Sequence, residues 1–141
     1  MGLLDNYTGI GMSPRPKWMH QRIISRALVL MYDELEQQGL VCLPEATVTD
    51  NWDDLAPDLV IFDSGCNPVS IIEISTHREY RKIIQKCYDL IVRFPKAEYF
   101  VYDYEGQVLY KLDFDTNTWI PSTDELLYSD FLSNPVINYL L

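Results

Sequence analysis

Two short apolar runs on either side of a turn-rich loop are the feature that most constrains the fold of this chain. The runs are Leu59–Phe62 and Val69–Ile74, and both are rich in the β-branched residues that favour strands. The loop between them, Asp63–Pro68, contains glycine, asparagine and proline, which favour turns. The pattern predicts a β-hairpin.

The register of this hairpin brings two acidic residues together. If Asp63 pairs with Pro68, the facing pairs are Phe62 with Val69, Val60 with Ile71, and Asp58 with Glu73. Facing side chains in an antiparallel pair have Cβ atoms roughly 4.5–5.5 Å apart, and two carboxylates at that distance repel each other unless a cation lies between them. A hard divalent cation would suit carboxylate oxygens.

A simpler interpretation of the two acids is that Asp58 caps a turn and Glu73 lies on a solvated face. The neighbours of Glu73 argue against it, because the run Val69–Ile74 looks buried on both faces. A carboxylate in such a run is costly unless it is paired or bound to a metal.

Length and composition favour one ordinary globular domain over the whole chain, residues 1–141. Within this domain, we expect residues 1–12 to form an irregular arm. We expect residues 121–141 to form a tail that packs on the core or on a partner subunit. No apolar run approaches the roughly 20 residues of a membrane span, and the N-terminus is not typical of a signal peptide. Three cysteines without metal-type spacing indicate free thiols and a cytoplasmic location.

The net charge of −10 argues against a free-standing, high-affinity nucleic-acid binder, because phosphate contacts need lysine and arginine. The positive charges are nevertheless concentrated. Of eleven lysines and arginines, six lie between Arg78 and Lys96 and four between Arg15 and Arg26. They either surround a site or form ordinary solvated helix faces.

Two amphipathic helices are predicted. The first runs from Lys17 to about Gln38 and follows a proline-rich start at residues 13–16, with Gly39 just after its end. His20 lies on its apolar face, where a packed or capping histidine is favoured over a metal ligand. The second runs roughly from Arg78 to Arg93, and Lys86 falls at the edge of its apolar face, where a lysine can bury its stem and direct its ammonium to a nearby site.

The remaining elements complete a sheet. A strand is predicted at Leu40–Thr49, followed by a connection at Asp50–Leu55, and further strands at Glu98–Asp103 and Gln107–Phe114, with a short last strand within Asp113–Ile120. The strand of Glu73, the second helix and Glu98–Asp103 form a β-α-β crossover. The predicted architecture is α/β (α+β), with a central mixed sheet flanked by helices.

The ordered set of features resembles the PD-(D/E)XK nuclease superfamily and, within it, the Uma-two family of bacterial restriction-endonuclease-like proteins. It consists of His20, Pro57-Asp58 opening a strand, Glu73 late in the next strand, Lys86 on the following helix and the strand Glu98–Asp103. The resemblance covers about residues 17–113. Two positions depart from it: Ser75 stands where the superfamily's basic pattern has lysine, and Lys82 stands where the Uma-two family tends to have aspartate.

The resemblance implies a Mg²⁺-dependent (or Mn²⁺-dependent) endonuclease that acts on DNA as a homodimer. Asp58, Glu73 and the Ile74 carbonyl would hold the metal, and Lys86 would position the attacking water or stabilise negative charge, with Lys82 or Arg78 as rivals. One alternative is a catalytically inactive relative that serves as a binding or assembly module, and a third possibility is hydrolysis of another phosphate-containing substrate. If Lys86 serves the site, we expect its ammonium within about 5 Å of a carboxylate oxygen of Glu73 or Asp58.

Overall fold

The computed structural model describes residues 17–46, 56–123 and 126–141, and within them one six-stranded sheet carries helices on both faces. The elements, in chain order, are α1 (Lys17–Gln37), β1 (Val41–Pro44), β2 (Leu59–Phe62), β3 (Pro68–Ser75), α2 (Tyr80–Arg93), β4 (Glu98–Asp103), β5 (Val108–Asp113), β6 (Thr118–Pro121) and α3 (Ile137–Leu140). The predicted arm, the proline-rich start of the first helix and the connection at Asp50–Leu55 lie outside the described residues.

The sheet has its strands in sequence order, β1 to β6. Every neighbouring pair is antiparallel except β3 and β4, which are parallel and joined through α2. Alternate residues of the central strands face opposite sides, so that Ile72 and Phe100 pack with α1 whereas Ile71 and Val101 pack with α2. The predicted mixed sheet flanked by helices is therefore confirmed.

Helix α1 ends as the sequence indicates. Gly39 adopts a φ of +74°, a conformation that costs glycine little. The Leu40 N–H donates to the Leu35 carbonyl at 2.9 Å, and the Gly39 N–H donates to the Glu36 carbonyl at 3.0 Å. These two bonds form a Schellman motif, which satisfies carbonyls left free at the helix end and turns the chain into β1.

The hairpin of β2 and β3 is present, with the predicted pairing of Val60 with Ile71 and with Leu59 facing Ile72. The predicted pairing of Phe62 with Val69 is wrong, because Phe62 pairs with Pro68 and the register shifts between Ile61 and Phe62. The cause lies in the turn, described next. The bulge leaves the register correct at the other end of the hairpin, where Asp58 and Glu73 lie.

The hairpin turn is closed by Asp63 and Asn67, one residue earlier than predicted. The Asp63 N–H donates to the Asn67 carbonyl at 3.0 Å, and the Asp63 carboxylate accepts the N–H groups of Gly65 and Asn67, each at 2.9 Å. Cys66 adopts a φ of +63°. A three-residue loop with a left-handed residue is a common hairpin connection, and it displaces Val69 from the ladder.

Three predicted elements have different bounds in the structure. Helix α2 begins at Tyr80 rather than Arg78, because the N–H groups of Glu79 and Tyr80 both donate to the Thr76 carbonyl and form a turn before the helix. Strand β1 is shorter than predicted within its described part, at Val41–Pro44. Strand β4 begins and ends where expected, at Glu98–Asp103, and β5 loses one residue at each end.

The C-terminal tail packs on α1. Its buried apolar residues join the same core as that helix: Leu127, Leu132, Val136, Tyr139 and Leu140. The Glu34 carboxylate on α1 accepts hydrogen bonds from the Tyr139 hydroxyl at 2.6 Å and from the Ser133 N–H at 2.5 Å.

None of the helices that the structure describes has the length and apolar character needed to span a membrane.

Candidate functional site

Asp58 and Glu73 are interlocked at the start of β2 and near the end of β3. The Asp58 N–H donates to Glu73 Oε1 at 2.7 Å, and the Ile74 N–H donates to Asp58 Oδ2 at 2.7 Å. Each carboxylate thus accepts a main-chain hydrogen bond from the opposite strand. The register predicted for this pair is the reason that the two acids meet, because a slip of one residue would separate them to opposite faces.

A histidine and a lysine complete the cluster, one from each helix. His20 Nε2 on α1 lies 3.1 Å from Asp58 Oδ1. Lys86 Nζ on α2 lies 2.8 Å from Glu73 Oε2. The separation expected for Lys86, about 5 Å or less, is met by this distance. All four carboxylate oxygens therefore have a close polar neighbour within the protein.

Burial differs strongly across the cluster. The Glu73 side chain is 1% exposed, whereas those of Asp58, Lys86 and His20 are 19%, 27% and 29% exposed. Glu73 Oε2 is enclosed, and its close polar neighbour is the Lys86 ammonium at 2.8 Å. A buried carboxylate needs such a partner, because burial of an unpaired charge is costly.

The charged groups of the cluster shift one another's pKa values. Burial and the neighbouring Asp58 carboxylate raise the pKa of Glu73, and Lys86 only partly offsets them. Burial disfavours the charged form of Lys86, but the attraction of Glu73 outweighs it and the pKa of Lys86 is raised. The hydrogen bond to Asp58 raises the pKa of His20 despite its partial burial. The cluster therefore favours bound positive charge.

The other predicted candidates lie elsewhere or play structural parts. Lys82 is exposed, and no contact places it at the carboxylates. Ser75, where the resemblance would place a lysine, is buried, and its hydroxyl donates to the Thr76 carbonyl at 3.0 Å. A serine there cannot reach out as a lysine could, so Lys86 supplies the ammonium.

The position of His20 in the sequence did not predict its contact with Asp58. Its position on the apolar face of α1 suggested a packed or capping histidine, whereas the structure gives it a direct bond to Asp58. The only sequence signal that could have identified this role was the resemblance itself, because α1 and β2 are far apart along the chain.

The donor set can be tested against a divalent cation. No group of three or more histidine, cysteine, aspartate or glutamate side chains within residues 17–46, 56–123 and 126–141 could hold a metal ion. Mg²⁺, however, commonly uses one or two carboxylates and keeps several waters. The adjacent carboxylates of Asp58 and Glu73, with the enclosed Glu73 Oε2, fit such a site, provided that Lys86 or His20 yields its contact.

Comparison with known proteins gives one line of support. No family model matches the chain, and no curated protein matches it. A solved structure of a protein from Anabaena variabilis, described as a "putative nuclease" belonging to DUF820, is similar over 91% of this chain and 85% of that one, with a TM-score of 0.65 and 16% identity. At this identity the match shows a shared fold.

Proposed function

We propose that this chain is a metal-dependent endonuclease that hydrolyses phosphodiester bonds of DNA. One observation carries the proposal: Asp58, Glu73 and Lys86 meet in one cluster, with the Lys86 ammonium 2.8 Å from an otherwise unbonded, enclosed oxygen of Glu73. The fold shared with a DUF820 protein supports the same reading, although a fold alone does not establish an activity.

In this proposal Asp58, Glu73 and the Ile74 carbonyl would hold Mg²⁺ or Mn²⁺, which when bound would supply a water of lowered pKa and charge to offset the phosphate. Lys86 would direct its ammonium at the oxygen on which negative charge develops. His20 would hold Asp58 Oδ1 and so fix the orientation of that carboxylate. The Ile74 N–H, bonded to Asp58 Oδ2, would restrict it further.

A second candidate is a nuclease-fold module that binds or assembles without cutting. It is favoured by the saturation of the carboxylates, since each oxygen already has a neighbour in His20, Lys86 or the main chain. The buried Ser75 and the exposed Lys82, which replace the family's lysine and aspartate, point the same way. Such a module would keep the cluster as an internal ion-pair network.

The deciding experiment measures cleavage and metal binding separately. Supercoiled plasmid and labelled linear DNA are incubated with Mg²⁺ or Mn²⁺, and Mn²⁺ binding is followed by electron paramagnetic resonance. Cleavage that disappears in Glu73→Gln supports the nuclease. Absence of cleavage by the wild-type protein with either metal supports the inactive module. A Lys96→Ala variant, which removes an exposed lysine outside the carboxylate cluster, is the control.

A homodimer is part of the nuclease proposal, because cutting both strands of a duplex needs two sites. The tail, for which the sequence left open packing on the core or on a partner subunit, packs on α1 of its own chain, with Val136, Tyr139 and Leu140 buried. The dimer therefore rests on the requirement for two sites and not on the tail.

A further inference from the structure

A second polar cluster lies beyond the carboxyl ends of β3 and β4, and the proposed chemistry does not use it. Its centre is a bond of 2.8 Å between His77 Nδ1 and Asp103 Oδ2. The two side chains contrast sharply, because that of His77 is 71% exposed and that of Asp103 is 1% exposed. An exposed imidazole is thus held by a fully buried carboxylate.

The surrounding main chain fixes this pair. Asp103 Oδ1 accepts the N–H groups of Glu105 and Gly106 at 3.1 and 3.0 Å, and the His77 N–H donates to Glu105 Oε1 at 3.0 Å. A Cβ at position 106 would lie 2.7 Å from Asp103 Oδ2, so the close approach requires glycine. Because the carboxylate accepts at both oxygens, Nδ1 is the donor and Nε2 is directed away from Asp103.

The imidazole ends a short stack of rings. The ring centroids of His77 and Tyr80 lie 5.7 Å apart with planes tilted by 30°, and Tyr80 stacks on Tyr110 at 5.0 Å and 6°. The Arg81 guanidinium lies 5.7 Å from the Tyr80 ring centroid, and its Nε donates to the Tyr80 hydroxyl at 3.2 Å. The stack is therefore ordered at one end and open to solvent at the His77 end.

Exposed cations lie beside the stack, at the start of α2. The side chains of Arg78, Arg81 and Lys82 lie within one turn of Tyr80, next to the acidic Glu79, while the carboxylates of Asp103 and Glu105 lie at the His77 end. The chain as a whole has a net charge of −10. Planar rings that can stack on a base, next to cations that can contact phosphates, are the combination with which proteins bind unpaired nucleic-acid strands.

We propose that His77, Tyr80 and Arg81 form a binding subsite for an unpaired nucleotide of a nucleic-acid strand, with Asp103 as the residue that positions His77. The base stacks on the exposed imidazole, and Arg81 contacts the adjoining phosphate. This inference rests on the proposed function in one respect: it takes the partner of the cluster to be a nucleic acid. It requires no cleavage.

The test measures binding without catalysis. Fluorescence anisotropy of a fluorescein-labelled oligodeoxythymidylate strand is recorded in EDTA with the full chain. His77→Ala and Tyr80→Leu should each weaken binding by at least about five-fold, the loss typical of one stacked base. Lys96→Ala, which removes an exposed lysine just before β4, should bind like the wild type. Equal affinity of His77→Ala and wild type would overturn the proposal.

Two further measurements separate stacking from general attraction to a polyanion. A strand of equal length made of abasic residues should bind the wild type more weakly than the thymidylate strand does. The His77→Ala variant should bind the two strands with equal affinity. Equal binding of both strands by the wild type would show that no base is recognised. The Asp103→Asn variant tests the positioning of His77. Nitrogen-15 chemical shifts of the His77 ring should show a proton on Nδ1 in the wild type and a mixture of tautomers in the variant. Strand binding by the variant should weaken, while its circular dichroism spectrum stays unchanged.

The outcome is distinguishable from that of the proposed nuclease. Glu73→Gln should lose cleavage and keep strand binding, whereas His77→Ala should lose strand affinity in both the wild-type and the Glu73→Gln backgrounds. A protein that binds strands through His77 but never cuts them would refute the nuclease and retain this subsite.

Discussion

At the scale of single residues, two carboxylates that face each other are each contacted by a basic side chain, and the two basic side chains come from helices on opposite faces of the sheet. His20 reaches Asp58 from α1, and Lys86 reaches Glu73 from α2. Lys86 can do so because a lysine at the edge of a buried helix face packs its stem and leaves its ammonium free to turn. The cluster joins both helices to the hairpin through charge.

Replacement of Lys86 should separate chemistry from metal binding. We expect Lys86→Ala to lower the cleavage rate roughly 10²–10³-fold, as the loss of one donor to a developing negative charge commonly does, while Mn²⁺ binding is retained. Glu73→Ala should lose both. Cleavage rates and Mn²⁺ affinities of the two variants and of Lys82→Ala check this expectation. Wild-type cleavage by Lys86→Ala would transfer the role to Lys82 or Arg78.

His20 should make stability depend on pH. Its pKa in the folded chain is raised above 6.5, chiefly by the hydrogen bond to Asp58. A raised pKa means that the folded state binds the proton more tightly, so the stabilisation is complete below the unfolded pKa and is lost as pH rises through the folded pKa. We therefore expect the free energy of unfolding to fall with rising pH from about pH 6 to 8.

Urea unfolding of the wild type and of His20→Gln across this pH range measures the effect. The His20→Gln variant should show a flatter profile of unfolding free energy against pH. In Asp58→Asn, the pKa of His20 measured by NMR titration should lie closer to its ordinary value. Parallel stability profiles for the wild type and His20→Gln would contradict the assignment.

At the scale of elements, the tail is an integral layer of the α1 face. Leu140 is 1% exposed and belongs to the same core as Met31 and Leu35, whereas the next residue, Leu141, is 48% exposed. Tyr139 and Ser133 add bonds to Glu34. The tail thus shares one core with α1 and the sheet.

Adjacent leucines in this tail give a matched pair of substitutions. Leu140→Ala should lower the free energy of unfolding by about 2–5 kcal/mol, because it removes a buried side chain and leaves a cavity. Leu141→Ala should change it by less than about 0.5 kcal/mol, as surface substitutions usually do. Denaturant unfolding of both variants checks the pair, and equal losses would mean that the tail does not pack as described.

At the scale of the whole molecule, the proposed activity needs two sites for two strands. We therefore expect a dimer at micromolar concentration, measured by multi-angle light scattering. A dimer should make double-strand breaks in one encounter, whereas a monomer should accumulate nicked plasmid first. Light scattering that shows monomer only would leave a nicking enzyme or the non-cutting module.

The net charge of the whole molecule limits its affinity for nucleic acid. With a net charge of −10, the molecule depends on its clustered cations for any contact with nucleic acid. Strand binding should accordingly fall steeply as salt increases.

The sequence by itself determined the elements whose signals are local. The period of α1, Gly39 after its end, and the β-branched runs of the hairpin predicted structure because each depends on neighbours within a few residues. The even register of Asp58 and Glu73 followed from strand alternation and survived a turn that closed one residue early, because the bulge at Val69 compensated for it.

Only the tertiary structure decided which distant side chains meet. His20 and Asp58 lie far apart along the chain, and their contact depends on how α1 packs across the sheet. His77 and Asp103 meet because β3 and β4 are parallel neighbours, with Ser75 paired to Asp103. Such contacts come from the packing of whole elements, which no short-range pattern encodes.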